Sequence, residues 1–119
     1  MARRVTPMIH VPDVRATVTW YESVGFKLEG TNASDGELDW AALSFGEGQV
    51  MFNAGGKPSQ DERREVDLYV NVEGVDALYA RLKPFVELKQ ELHDAFHGMR
   101  EFTVRDPNGF WVTFGERPR

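Results

Sequence analysis

Over the first half of the chain the spacing of apolar positions switches between two periods. In VTPMIHVPD, Val5, Ile9 and Val11 fall on one alternating face and Thr6, Met8 and His10 on the other, which predicts a strand ending near Pro12. Asp13 suits a helix N-cap, and beyond it Val14, Val18, Tyr21 and Trp20 recur at helical spacing until Gly25 stops the run. In ELDWAALSFGEGQVMFNAGG, Ala41, Leu43 and Phe45 alternate with Trp40, Ala42 and Ser44, predicting two short strands joined at Gly46 to Gly48. The polar run KPSQDERRE contains Pro58, has almost nothing to bury and reads as a linker. The pattern then restarts. VDLYVNV predicts a strand, and EGVDALYARLK a helix with Val75, Leu78, Tyr79 and Leu82 on one side. FVELKQELHD predicts a strand and turn, and MREFTVRDPNGFWVTFGE a final hairpin.

The restart keeps a constant offset. Adding 61 maps Val11 to Val72, Val14 to Val75, Ala16 to Ala77, Tyr21 to Leu82, Leu43 to Val104, Gly48 to Gly109 and Met51 to Val112. One element order recurring at one offset predicts an α+β fold of tandem βαβββ repeats. The expected organisation is one domain over 1–119, built from modules at about 4–54 and 66–117 with a polar linker at about 55–65. One helix covers one face of each module's sheet, so two modules side by side leave a curved mixed sheet that encloses a cup, the natural place for a ligand.

Composition narrows what that cup can do. With 119 residues, 41% of them hydrophobic, the chain fills one ordinary core. A formal net charge of −5 argues against a nucleic-acid partner and favours neutral or cationic small molecules. The absence of cysteine excludes disulfides, thiolate metal sites and a cysteine nucleophile. No apolar run is long enough for a signal peptide or a membrane span, so the expected address is cytoplasmic, with no membrane partner.

Strand parity assigns the cup lining. Thr6, Met8, His10, Trp40, Ala42, Ser44, Phe52, Asp67, Tyr69, Asn71, Trp111 and Thr113 are expected on the open side, joined by Arg100 and Phe102. Rings, a flexible methionine and one carboxylate suit a planar, weakly cationic organic molecule, with Asp67 compensating its charge; the same rings also suit a subunit interface. Ser23, Ser44 and Ser59 have no identifiable His–acid partner. FGEGQ and NAGGK lack a phosphate-loop pattern and read as turns, and Asp106-Pro107-Asn108-Gly109 reads as a type I turn with a left-handed glycine. His93 and His97 fall in a segment expected to be a loop.

The opening VTPMIHVPDVRATVTWYESVGF and the closing HGMREFTVRDPNGFWVTFGE resemble the vicinal-oxygen-chelate superfamily, which includes glyoxalases, extradiol dioxygenases and bleomycin-resistance proteins. The resemblance runs from Val5 to Glu116 and specifies fold more closely than activity, since this fold carries several chemistries. It implies that metal-dependent members place ligands at positions matching Thr6, Asp67 and Thr113, with Phe52 at the fourth pseudo-equivalent place. One carboxylate, two threonines and a phenylalanine do not make a divalent-cation site. His10 lies about 13 Å further along the strand from Thr6. Glu116 has the opposite parity to Thr113, which puts it on the helix side or the edge of a regular strand.

The resemblance therefore implies a metal-free, cofactor-free binder of the bleomycin-resistance type. Such a protein is a homodimer, with exchange of the first strand between chains, and sequesters a small-molecule ligand. The other reading is a metal-dependent glyoxalase-like lyase or isomerase, or a dioxygenase, using Asp67, His10 and Glu116 or Glu101.

Overall fold

Each half of the chain lays one helix on a four-stranded sheet, as a computed structural model that describes residues 1–118 shows. The chain divides into two compact units, Met1–Ser59 and the segment from Gln60 onward. The first contains β1 (Met8–His10), α1 (Val14–Ser23), β2 (Lys27–Ser34), β3 (Glu37–Phe45) and β4 (Gly48–Asn53). The second contains β5 (Asp67–Asn71), α2 (Val75–Leu82), β6 (Glu87–Asp94), a turn of 3-10 helix (Phe96–Gly98), β7 (Arg100–Arg105) and β8 (Trp111–Glu116). Strand order is β1-β4-β3-β2 in one sheet and β5-β8-β7-β6 in the other. The first strand of each is parallel to the last and the remaining pairs are antiparallel, so both halves are βαβββ modules of an α+β fold. Among the described residues no helix is long and apolar enough to cross a membrane.

Local chemistry explains the helices. The Asp13 carboxylate accepts from the Ala16 N–H at 3.0 Å, and α1 buries Val14, Thr17, Val18 and Tyr21 on one face. Tyr21 meets Phe26 and Phe52 at ring-centroid distances of 5.1 and 4.8 Å, which forms the centre of the first core. Helix α2 starts at Gly74, which has no capping side chain of its own. The Glu116 carboxylate, at the end of β8, accepts instead from the N–H groups of Gly74 and Val75 at 3.0 and 3.1 Å. This agrees with the parity that turns Glu116 away from Thr113. Phe102, packed on Tyr79 and Phe114 at 5.2 Å each, occupies the centre of the second core.

The repeat holds, with one change of register. Ile9 pairs with Phe52 and Val70 with Phe114; Leu43 pairs with Val50 and Val104 with Val112. The offset is therefore 61 as far as β3 and β7 but 62 between β4 and β8. The cause is the second hairpin, where Arg105 faces Trp111 across residues 106–110, while Ser44 faces Gln49 across residues 45–48. In that longer turn the Asp106 carbonyl accepts from the Gly109 N–H at 3.2 Å, its carboxylate accepts from the N–H groups of Asn108 and Phe110, and Gly109 is left-handed at φ 88°. The expected match of Met51 to Val112 is corrected accordingly: the counterpart of Thr113 is Met51, and that of Phe52 is Phe114.

Strand β2 had no clear sequence signal. Its register shifts between Leu28 and Gly30 and again between Asn32 and Ala33, which breaks the alternation that marks a strand.

Candidate functional site

The face of each sheet turned away from its helix carries most of the expected site residues. In the first sheet the register puts Met8, Met51 and Ala42 in one row, and His10, Asn53 and Trp40 in the next. Met8 is 58% exposed. Trp40 lies across Gly30 of β2, where a Cβ would come within 3.4 Å of the indole ring. The His10 ring Nδ1 is 3.2 Å from the Ala54 carbonyl, and Ser44 donates to Glu29 at 2.7 Å. Thr6 precedes β1 and is half-buried. Phe52 is not on this face: it is fully buried against Tyr21 of α1, because the one-residue change of register reverses its expected parity.

In the second sheet three rows cross the open face: Asp67, Trp111 and Arg105; Tyr69, Thr113 and Thr103; Asn71, Gly115 and Glu101. Phe102 and Arg100 leave this set. Phe102 is fully buried under α2, and the Arg100 guanidinium donates to Asp76 on α2 at 2.6 Å and to Asp94 at 3.0 Å. Beta-strand parity places Glu101 and Thr103 on the open side in their stead.

Hydrogen bonding joins these rows. The Tyr69 hydroxyl donates to Glu101 at 2.7 Å, in space that only a glycine at 115 leaves free, since a Cβ there would lie 2.1 Å from the Tyr69 oxygen. Desolvation, followed by the hydrogen bond to Glu101 and its negative charge, pushes the Tyr69 hydroxyl up to about 12. The hydroxyls of Thr103 and Thr113 are 2.8 Å apart. At the carboxyl ends of β5 and β8 a cavity of about 620 Å³ is lined by Asn71, Val72, Glu73, Glu116 and Arg117.

The polar segment before β5 adds residues that parity could not supply. The Glu62 carbonyl accepts from Trp111 Nε1 at 3.0 Å and from Arg105 Nε at 2.9 Å, and the Asp61 carbonyl accepts from Arg105 Nη2 at 3.0 Å. The Arg63 guanidinium forks onto the Asp67 carboxylate, with Nε to Oδ1 at 3.2 Å, and lies 4.2 Å from the centroid of the Trp111 ring. Asp67, expected to compensate a ligand's charge, already holds an internal cation. The available signal was the i, i+4 spacing of Arg63 and Asp67.

These donors do not fit a divalent metal. Asp67 is paired with Arg63, Glu101 with Tyr69 and Glu116 with the start of α2, while Thr113 meets Thr103. Among the described residues no three or more His, Cys, Asp or Glu side chains converge.

Residues 4–114 match the family model described as Glyoxalase/Bleomycin resistance protein/Dioxygenase superfamily. Among solved structures, the chain is similar to TioX from Micromonospora sp. ML1, at 25% identity and a TM-score of 0.80, over 98% of this chain and 99% of that one. A protein of unknown function from Agrobacterium tumefaciens str. C58 is similar at 26% identity and a TM-score of 0.74, over 98% and 94% of the two chains. A bleomycin-binding protein complexed with bleomycin shares the fold at 17% identity and a TM-score of 0.73, over 98% and 99%. No curated protein matches.

Proposed function

The chain belongs to the glyoxalase/bleomycin resistance protein/dioxygenase superfamily, and from that premise we propose that it is a metal-free small-molecule binding protein. Its ligand is planar and aromatic or cationic, held against a helix-free sheet face and released unchanged. The observation that carries this reading is the pairing of the acidic groups on the second sheet. Asp67 is paired with a guanidinium and Glu101 with a hydroxyl, at separate places on the face, so a ligand meets ring faces, neutral hydrogen-bonding groups and single carboxylates in place of a converging set of metal-ready ones. On the second sheet Trp111 and the half-exposed Tyr69 offer stacking surface, and on the first, by itself, Trp40 and the half-exposed Met8 do.

Homodimer formation belongs to the same reading, supported by the short β1 and by the exposed Val5 ahead of it and Met8 at its start. Exchange of this first strand between subunits, cytoplasmic residence and a role in antibiotic resistance by sequestration complete the proposal. The bleomycin complex of a protein with this fold makes bleomycin the first probe.

The test is a thermal-shift series on chelator-dialysed protein, with bleomycin and other planar aromatic compounds. A ligand at 100 times its Kd should stabilise the protein by about 2.7 kcal/mol. A full equivalent of tightly held metal, together with loss of binding when it is stripped, would overturn the proposal.

A further inference from the structure

The Arg63 guanidinium is a flat cation stacked on an indole and forked onto a carboxylate, which is how a protein recognises a planar organic cation from outside. We infer that Trp111 and Asp67 form a binding site for an amidinium or guanidinium group, and that Arg63 is its tethered occupant, displaced when such a ligand binds. This deepens the proposed function and rests on it, since it names the charged group of the ligand.

Three features separate the site from its occupant. Asp67 and Trp111 are register partners on the parallel strands β5 and β8, so the sheet itself sets their spacing. Trp111 is further fixed by its own bond to the Glu62 carbonyl, which does not involve the Arg63 side chain. The Arg63 and Asp67 side chains are 51% and 41% exposed, so their ion pair is readily exchanged with solvent or ligand.

The segment can stay in place while Arg63 swings out. The Arg64 N–H donates to the Gly109 carbonyl at 2.9 Å, and the Arg64 guanidinium lies 4.9 Å from the centroid of Phe110. Displacement therefore requires rotation of one side chain. An occupant in place nine-tenths of the time weakens an incoming cation about tenfold and leaves neutral ligands of other parts of the face unaffected.

Calorimetric titration with benzamidinium, and with neutral benzamide as its near-isostere, tests this in the wild type, Arg63→Gln and Arg63→Ala. Benzamidinium is expected to bind both variants about tenfold more tightly than wild type. Adding Asp67→Asn should erase the gain, and benzamide should show none. Equal benzamidinium affinity in all three proteins, or an equal gain for benzamide, would overturn the inference. Wild-type protein gives a second readout should the variants fold poorly: saturating benzamidinium should move the Trp111 indole N–H resonance and release Arg63 Nε–H to fast exchange, and unmoved signals would overturn the inference. Neutral planar compounds binding wild type and Arg63→Gln alike, with no benzamidinium gain, would sink this inference alone. The broader binding reading fails separately if binding requires a metal.

Discussion

Phe52 and Phe114 occupy matching places, each fully buried and each paired with the strand that opens its own sheet, through Ile9 and Val70 respectively. They lie 62 positions apart because the second hairpin is one residue longer. The core side of the strand thus claims Phe52, and the open side claims Met51. Phe52→Ala should cost about 3–5 kcal/mol in urea unfolding, as expected for a large truncation in a core. Met51→Ala should cost well under half of that, and equal costs would show that the register is misassigned.

Glu116 caps a helix that it does not belong to. Its two oxygens satisfy the first N–H groups of α2, at a helix start that lacks a capping side chain of its own. Glu116→Ala should destabilise the second unit by about 1 kcal/mol and loosen the first turn of α2. Hydrogen exchange at Gly74 and Val75 reads this directly, and unchanged protection would rule the cap out.

Gly56 allows a close crossing. A Cβ there would lie 2.3 Å from the His10 oxygen and 2.4 Å from its carbonyl carbon, both backbone atoms that cannot rotate aside. The Gly56 N–H also donates to Val11 at 3.2 Å. Gly56→Ala should cost roughly 1–3 kcal/mol and weaken the pairing of β1 with β4. A wild-type melting temperature would contradict this.

Tyr69 makes stability sensitive to alkaline pH. Its hydroxyl is raised from 10.0 to about 12 in the folded protein, so the folded state holds that proton more tightly than the unfolded chain. The resulting stabilisation is complete below pH 10 and disappears as pH rises through about 12. Tyr69→Phe should remove this component, so that wild-type stability falls relative to the variant between pH 10.0 and about 12. Gly115→Ala should act alike by pushing the ring off Glu101, returning the hydroxyl towards its ordinary value. Parallel curves for wild type and Tyr69→Phe across this range would contradict the assignment.

Much of the fold was legible because it is written in local signals: the alternation of Ala41, Leu43 and Phe45, the Asp13 cap, the Asp106 to Gly109 turn and the near-constant offset. The faces of β1, β3, β5 and β8 followed from parity alone. The errors have a common origin in residue insertions and tertiary partners. One extra residue in a turn reversed Phe52. The last hairpin misplaced Arg100 and Phe102, which parity counted back from β8 would have set on the helix side. Bulges hid β2. The engagement of Asp67 by Arg63 arises in a segment whose polarity said only that it was not a core element, since an ion pair and a ring contact leave no periodic trace.

The central claim is that a helix-free sheet face centred on Trp111 binds a planar ligand without metal. Calorimetric titration of chelator-dialysed protein with planar aromatic cations, in wild type and Trp111→Ala, tests it most directly. The account predicts saturable binding to the metal-free wild type and a loss of about 1–2 kcal/mol of affinity, roughly five- to thirtyfold, in Trp111→Ala. Binding that appears only when a divalent metal is restored, or that is indifferent to Trp111, would contradict it.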